Sequence, residues 1–157
     1  MIEDAPRIVI FGNSGSGKST LARKIAGERP VLDLDLIVWE PGKIAVRRAE
    51  EEILMDFYRF LSQEKWVVEG CYGDLVEASF YRDPLLIFLD PGEEVCLEHC
   101  RMRSFEPQKY ASKEDQDAML SFLLNWVQEY YHRKGAMSHQ KHQELFERYP
   151  GKKIKNM

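Results

Sequence analysis

The sequence predicts an α/β protein in which a mainly parallel sheet of five strands lies between two layers of helices. Two observations favour this fold class. Short apolar runs alternate with longer segments whose apolar residues recur at helical spacing. A loop rich in glycine and serine joins the first apolar run to a helical segment, which is the strand–loop–helix order of a parallel α/β unit.

The strands are predicted from apolar runs with turn residues at their ends. Pro30 precedes the second run, and Gly70 follows the third. Pro84 and Asp90-Pro91-Gly92 bound the fourth run. The predicted strands are 7–11, 31–34, 66–69, 85–89 and, near the C-terminus, 152–155.

The helices are predicted from apolar stripes and from capping residues. In the segment 46–64 the apolar residues share one face, opposite the charged residues. Ser112 is a suitable N-cap for a long helix, which Gly135 should terminate. The predicted helices are 18–28, 46–64, 74–81, 93–103, 112–133 and 138–148.

The first loop has the spacing of a phosphate-binding loop. Gly12 is followed by four residues and then by Gly17-Lys18-Ser19, which is the pattern G-x-x-x-x-G-K-S. Lys18 should reach the β- and γ-phosphates of ATP, and the Ser19 hydroxyl should ligate Mg²⁺. The residues expected to bind ATP are Gly12, Asn13, Ser14, Gly15, Ser16, Gly17, Lys18, Ser19 and Thr20. The alternative is a turn without a ligand, and a dinucleotide-binding loop is disfavoured because its third glycine is missing.

Four acidic residues lie at or just after the carboxyl ends of predicted strands, where parallel α/β sheets bind their ligands. Asp33, Glu69 and Asp90 are candidates for holding Mg²⁺. Asp35 is the preferred candidate for orienting or deprotonating an acceptor, since in an extended segment it would share one side with Asp33. The alternative for all of them is an exposed turn, for which Asp90-Pro91-Gly92 is well suited.

Three arginines are candidates for closing onto the transferring phosphate. Arg101 and Arg103 end a predicted helix before the polar loop 104–112, and Arg133 ends the long helix. A guanidinium that arrives with a mobile loop stabilises charge and helps to exclude water. The alternative for each arginine is a solvated surface charge.

Other residues are weaker candidates for an acceptor pocket. Arg47 and Arg48 could bind an anionic group, although surface helices often carry such charges. Trp39 and Tyr72 could line the pocket, whereas Trp126 fits a core position better because it lies at helical spacing among apolar residues.

The composition predicts one cytoplasmic domain. The chain has 157 residues, of which 44% are hydrophobic, and a formal net charge of −4. An acidic protein is a poor non-specific binder of nucleic acid, and we expect no membrane span. The three cysteines argue against a disulfide framework. Cys96, His99 and Cys100 could begin a zinc site, but core packing is favoured because no second ligand pair follows.

Four segments in combination resemble a known family. They are GNSGSGKSTLARKIA, LDLDLIVWEPG, WVVEGCYGD and LLIFLD. With them the chain resembles the adenylate-kinase-like P-loop kinases, and more closely the small topology-modulation (FlaR-like) proteins. The residues that match the subfamily's second and third segments are Asp35, Trp39, Trp66, Gly70 and Tyr72. Glu69 stands where that subfamily usually has Asp.

The resemblance implies an adenylate-kinase-like fold that uses ATP with Mg²⁺. It also implies a small helical lid at about 101–118 and an acceptor-binding region at about 36–62. The predicted function is transfer of the ATP γ-phosphoryl group to a nucleotide or other small-molecule acceptor, by a monomer or a homodimer.

Two other functions were weighed against the kinase. A non-enzymatic nucleotide-binding regulator contacting DNA or protein is the alternative, and the basic tail at Lys152, Lys153 and Lys155 favours it. A GTPase switch is the least favoured of the three functions, because the segments N-K-x-D and D-x-x-G, on which guanine recognition of that type would rest, are missing.

Overall fold

The computed structural model describes residues 1–42 and 45–157, and the predicted sheet is present in it. The strands are β1 Arg7–Gly12, β2 Val31–Asp33, β3 Trp66–Gly70, β4 Leu85–Leu89 and β5 Lys153–Lys155. They lie in the order β2-β3-β1-β4-β5, and each neighbouring pair is parallel. The prediction of a five-stranded parallel sheet, including its C-terminal strand, is therefore confirmed.

Helices cover both faces of the sheet. They are α1 Lys18–Ile25, α2 Asp35–Val38, α3 Glu50–Leu61, α4 Gly73–Ala78, α5 Glu93–Arg101, α6 Lys113–Ala118, α7 Leu120–Glu129 and α8 His139–Arg148. Alternate residues of β1 point to opposite faces, so that Ile8 and Ile10 pack with α1. Val9 and Phe11 pack with α3, α4 and α8. Burial on both faces explains why the central strands are continuously apolar.

A short helix follows the second strand almost directly. Strand β2 ends at Asp33, and Asp35 begins α2 instead of continuing the strand. The carboxylate Oδ1 of Asp33 accepts a hydrogen bond from the backbone N–H of Asp35 at 2.9 Å. Such a local side-chain bond turns the chain out of the extended conformation. The expectation that both aspartates lie on one side of an extended segment is therefore wrong.

The two longest predicted helices are shorter in the structure. The helix predicted over 46–64 begins at Glu50, because Arg47 instead forms an antiparallel bridge with Trp39. The helix predicted over 112–133 is divided into α6 and α7 at Met119, whose backbone N–H bonds to the carbonyls of Asp115 and Gln116. Neither glycine nor proline marks this break, so the apolar pattern does not reveal it.

Buried hydrogen bonds attach α8 to the carboxyl end of β3. His142 is fully buried, and its ring nitrogens lie 2.7 Å from the Tyr130 hydroxyl and 2.8 Å from the Cys71 carbonyl oxygen. Cys71 directly follows β3, so α8 is tied to the segment that leaves the sheet there. Burial lowers the pKa of His142 to about 4, which keeps the ring neutral at pH 7.

The structure also bears on the cysteines and on membrane insertion. Cys96 and Cys100 are free thiols in an apolar cluster with Leu97 and Val127, as the core-packing interpretation predicted. Residues 1–42 and 45–157 contain no group of three or more His, Cys, Asp or Glu side chains arranged to hold a metal. None of the described helices is both long and apolar enough to cross a bilayer.

Candidate active site

A cavity of about 1340 Å³ opens at the carboxyl ends of the central strands. The phosphate-binding loop forms one wall, and the residues that follow β2 and β3 form another. Residues of the segment between α5 and α6 line a third side. The cavity therefore lies at the edge of the sheet where the sequence predicted a ligand site.

The phosphate-binding loop has a backbone shape that only glycine adopts easily. Gly15 and Gly17 have φ angles of +80° and +99°. A Cβ atom added to Gly15 would lie 2.3 Å from the carbonyl oxygen of Cys96. Nδ1 of His99 lies 2.6 Å from the carbonyl oxygen of Gly15. The loop is thus packed directly against α5.

Two buried polar atoms of this loop have no hydrogen-bond partner among the described residues. They are Oδ1 of Asn13 and Oγ of Ser16. Leaving a buried hydroxyl without a partner is unfavourable, so the Ser16 side chain suits a loop that receives an external acceptor such as a phosphate oxygen. The loop therefore fits the phosphates of ATP in both its backbone shape and its donors.

The side chains that begin α1 meet an acid from β3. Nζ of Lys18 donates a hydrogen bond to the carbonyl oxygen of Asn13 at 2.6 Å, and Lys18 is buried. Oγ of Ser19 donates to Oε2 of Glu69 at 2.6 Å. Burial and the neighbouring charge of Asp33 raise the pKa of Glu69 above its ordinary value. Lys18, Ser19 and Glu69 all line the cavity, as the sequence predicted for the ligand face.

A lysine from the segment between α5 and α6 pairs with the other acids. Nζ of Lys109 lies 3.0 Å from Oδ2 of Asp33, 2.9 Å from Oδ2 of Asp35 and 3.7 Å from Oε1 of Glu106. Burial disfavours the ammonium, but the two aspartates outweigh it and raise the pKa of Lys109. Burial likewise opposes ionisation of Asp35, but Lys109 and a hydrogen bond from Tyr72 hold its pKa below the ordinary value.

Two aromatic side chains orient Asp35. Nε1 of Trp39 donates to Oη of Tyr72 at 2.7 Å, and that hydroxyl donates to Oδ1 of Asp35 at 2.5 Å. Burial and the charge of Asp35 raise the pKa of Tyr72, so its hydroxyl stays protonated and remains a donor. All three side chains line the cavity, which agrees with the expectation that Trp39 and Tyr72 belong to a pocket wall.

The three predicted arginines lie in different surroundings. Arg103 lines the cavity. Arg101 is exposed at the end of α5 and is not among the described residues of the cavity wall. Arg133 is not among them either, because its guanidinium stacks 3.5 Å from the ring centroid of Trp126 and donates to the carbonyl oxygen of Met137 at 2.9 Å. Arg133 therefore supports Trp126, which lines the cavity itself.

Arg47 and Arg48, the weaker candidates for an anionic group, are held by acids of α3. Arg47 lies 3.0 Å from Glu50, and Arg48 lies 2.7 Å from Asp56. Neither arginine is a wall residue in the part of the chain that the structure describes. Both arginines therefore tie the residues that directly precede α3 to the helix itself.

Asp90 does not join the other acids. Its carboxylate accepts a hydrogen bond from Oη of Tyr131 at 2.6 Å and lies 2.9 Å from Nε2 of His139. It is not one of the cavity-lining residues in the described ranges. Its side chain instead links the end of β4 to α8, in contrast to the metal-binding position expected from the sequence. The expected metal-binding residues that lie on the cavity wall are Ser19, Asp33 and Glu69.

The oxygen donors on this wall are of the type that Mg²⁺ prefers. Asp33 and Glu69 are directly paired in the register of β2 and β3, so they lie side by side at the sheet edge. Mg²⁺ is usually held by one or two carboxylates together with substrate phosphates and water. Ser19, Asp33 and Glu69 therefore fit a magnesium ion that is shared with a nucleotide.

Sequence reasoning missed Lys109. The lysine lies in the polar segment predicted as a mobile loop, and its partner Asp35 is 74 residues away in the chain. No local pattern distinguishes it from the other lysines. Only its position within the predicted lid could have drawn attention to it.

Comparisons with known proteins show the fold but no family. No protein-family model and no curated protein matches the chain. A shikimate kinase from Bacteroides thetaiotaomicron is similar in structure, with a TM-score of 0.50 and 19% sequence identity over 90% of this chain and 96% of that chain. A gluconokinase from Sinorhizobium meliloti 1021 has a TM-score of 0.48 and 20% identity over 91% of this chain and 94% of that chain.

At such identities the similarity supports the fold alone. The predicted P-loop α/β/α architecture of adenylate-kinase-like type, with its parallel five-stranded sheet, is confirmed. The closer resemblance to topology-modulation proteins stays a prediction.

Proposed function

We propose that this protein transfers the γ-phosphoryl group of ATP to a nucleotide or another small-molecule acceptor. One observation supports this most: the phosphate-binding loop and the oriented carboxylate of Asp35 face the same cavity. At about 1340 Å³ this cavity exceeds the roughly 300–1,000 Å³ that a single small ligand usually occupies. It has room for a nucleotide and an acceptor together.

The donor side of the reaction belongs to the loop and the start of α1. Backbone N–H groups of the loop bind the phosphates, and the buried ammonium of Lys18 exchanges the Asn13 carbonyl for phosphate oxygens. The Ser19 hydroxyl and the carboxylates of Asp33 and Glu69 would hold Mg²⁺. When bound, that ion neutralises charge on the β- and γ-phosphates.

The acceptor side belongs to Asp35 and its aromatic partners. Tyr72 and Trp39 fix Oδ1 of Asp35. Oδ2, which Lys109 holds at 2.9 Å without nucleotide, can meet an acceptor hydroxyl in a constant orientation once that ammonium turns to the phosphates. The acceptor oxygen bonds to the γ-phosphorus, its proton passes to Asp35, and the bond to the bridging oxygen breaks to release ADP. Because the pKa of Asp35 is low, its main contribution is to orient the hydroxyl, and the proton is taken late.

The segment between α5 and α6 is the proposed lid, within the range 101–118. Arg103 and Lys109 bring positive charge to the cavity from this segment. Positive side chains that arrive with a lid stabilise the transferring group and exclude water, which would otherwise compete with the acceptor. Arg101 retains a proposed role only through movement of this lid, since it does not line the described cavity wall. Arg133 lies outside the lid, and its proposed role is to support Trp126.

The test is the release of ADP from ATP and Mg²⁺ in the presence of a panel of nucleosides, nucleotides and small hydroxylated metabolites. We expect one class of acceptor to stimulate release, and we expect Lys18→Ala to abolish both release and nucleotide binding. Lys65→Ala is the matched control, because this lysine is exposed and is not among the described wall residues. It should behave as wild type.

Two results would contradict the proposal. Unchanged ATP affinity in Lys18→Ala would show that the loop does not bind phosphate as described. Tight ATP binding without stimulation by any acceptor would instead favour a nucleotide-binding regulator. Salt-sensitive retention on DNA would then be the next measurement.

A further inference from the structure

We propose that Lys109 is an exchangeable counter-ion of the magnesium site: without nucleotide, its ammonium neutralises the carboxylates that Mg²⁺ requires, and the two cations compete for them. This inference deepens the proposed function, since it concerns the regulation of the same site. It assigns to Lys109, which carries positive charge to the transferring group in the proposed reaction, a second role before the nucleotide binds.

The first support is the completeness of the ion pairing around Lys109. Its Nζ lies 2.9 Å from Asp35, 3.0 Å from Asp33 and 3.7 Å from Glu106. Only 16% of its side chain is exposed. A buried ammonium is tolerated when carboxylates replace its water, and buried carboxylates equally require a cation. Lys109 and the acids are therefore mutually dependent in the nucleotide-free protein.

The second support is that the acids around Lys109 overlap with the magnesium site. Asp33 is paired in register with Glu69, and Glu69 accepts the hydrogen bond of Ser19. Asp33 thus belongs to both groups: it contacts Lys109 on one side and neighbours the Ser19–Glu69 pair on the other. A divalent cation held by Ser19, Asp33 and Glu69 would share the Asp33 carboxylate with the ammonium.

Two cations that share one carboxylate repel each other strongly where water is scarce. Binding of Mg²⁺ therefore weakens the contact of Lys109 with Asp33, and by linkage Lys109 weakens the binding of Mg²⁺ to the same degree. A nucleotide relieves the conflict, because its phosphates supply new anionic partners for the displaced ammonium. Mg²⁺ alone would thus loosen the contact between Lys109 and β2, and metal with nucleotide would release it fully.

The inference is tested with MgCl₂ alone, by titration calorimetry on the full chain without nucleotide or acceptor. Lys109→Met removes the competing charge while keeping most of the side-chain volume. The dissociation constant for Mg²⁺ should fall at least about fivefold, the lower end of usual coupling between sites. An unchanged or larger constant, or no detectable binding in either protein, would overturn the proposal.

Two matched variants separate charge from mere alteration of the lid. Lys109→Arg keeps the positive charge and should bind Mg²⁺ with a constant within about twofold of wild type. Lys113→Met removes an exposed lysine of α6 that pairs with Asp117, 3.2 Å away, and should also leave the constant unchanged. A fivefold gain in Lys113→Met would contradict the assignment to Lys109.

A measurement on the wild-type protein covers the case in which Lys109→Met does not fold. Trypsin cleaves after an accessible lysine, and the ion pairs of Lys109 should slow cleavage there. Adding MgCl₂ without nucleotide should speed cleavage after Lys109 relative to cleavage after Lys113. A ratio that does not change with Mg²⁺ would overturn the competition. Neither readout requires phosphoryl transfer, so failure of the kinase proposal and failure of this inference are distinguishable.

Discussion

Acidification should destabilise this protein through His142. The ring is fully buried between the Tyr130 hydroxyl and the Cys71 carbonyl, and its pKa falls from 6.5 to about 4 on folding. Because the folded pKa is the lower one, the unfolded chain takes up this proton first as the pH decreases. The contribution to stability is therefore present above pH 6.5 and is lost as the pH falls towards 4.

The size of the effect follows from the two pKa values. Between pH 7 and pH 5 the free energy of unfolding should decrease by about 2 kcal/mol on account of His142 alone, and by about 3 kcal/mol once the pH is below 4. Urea unfolding of the wild type and of His142→Gln at pH 7 and pH 5 measures this decrease in the free energy of unfolding. Each protein serves as its own reference, so a general loss of stability in the variant does not matter.

The pH-dependent decrease should be smaller in His142→Gln than in wild type by about 2 kcal/mol, since glutamine does not titrate. His132→Gln is the matched control, because it removes an exposed histidine and should retain the wild-type decrease. If His142→Gln and the wild type lost the same stability between the two pH values, the buried neutral ring would not be the cause.

Two further predictions concern the site. Gly15→Ala should lower stability by about 1–3 kcal/mol and abolish nucleotide binding, because both the positive φ and the contact with α5 forbid a Cβ. Melting curves measure the loss of stability, and nucleotide titration measures the loss of binding. Gly27 has a positive φ but free space around it, so the control Gly27→Ala should lose less stability and should still bind nucleotide. Tyr72→Phe should lower kcat about tenfold, because Asp35 loses an orienting donor. It should also shift the acid limb of the pH profile of kcat/KM to higher pH, because that donor lowers the pKa of Asp35. The control Tyr149→Phe removes a hydrogen bond to the carbonyl oxygen of Pro84 and should reduce only the stability. Equal kcat in Tyr72→Phe and wild type would contradict the role of the Tyr72 hydroxyl.

The sheet and the phosphate-binding loop could be predicted because their signals are local. Apolar runs determine the strands, and the spacing from Gly12 to Ser19 determines the loop. The partners of long side chains could not be predicted in this way. Asp90 and Arg133 were assigned from their positions after a strand and a helix, yet Asp90 pairs with a residue 41 positions away.

Local competition explains the other differences. The carboxylate of Asp33 accepts a hydrogen bond from the backbone N–H of Asp35, so a helix begins at Asp35 directly after the strand. Asp35 therefore does not have the extended conformation considered for it from the sequence. Lys109 still brings the two aspartates together from a distant segment. Sequence pattern thus predicted three acids that line one cavity, Asp33, Asp35 and Glu69, but it also included Asp90, which does not line it. The mutual geometry of the three depends on contacts between distant parts of the chain.

The contact between Gly15 and α5 determines where the entropy of binding is lost. Because the carbonyl of Cys96 leaves no room beside Gly15, α5 restricts the conformation of the phosphate-binding loop in the absence of a ligand. Such preorganisation means that binding phosphates costs this loop little conformational freedom. The rearrangement that accompanies nucleotide binding should then fall on the segment that carries Lys109, because its ion pairs with Asp33 and Asp35 must be exchanged for contacts with phosphates. The free energy of that exchange, more than the shape of the loop, should set the affinity.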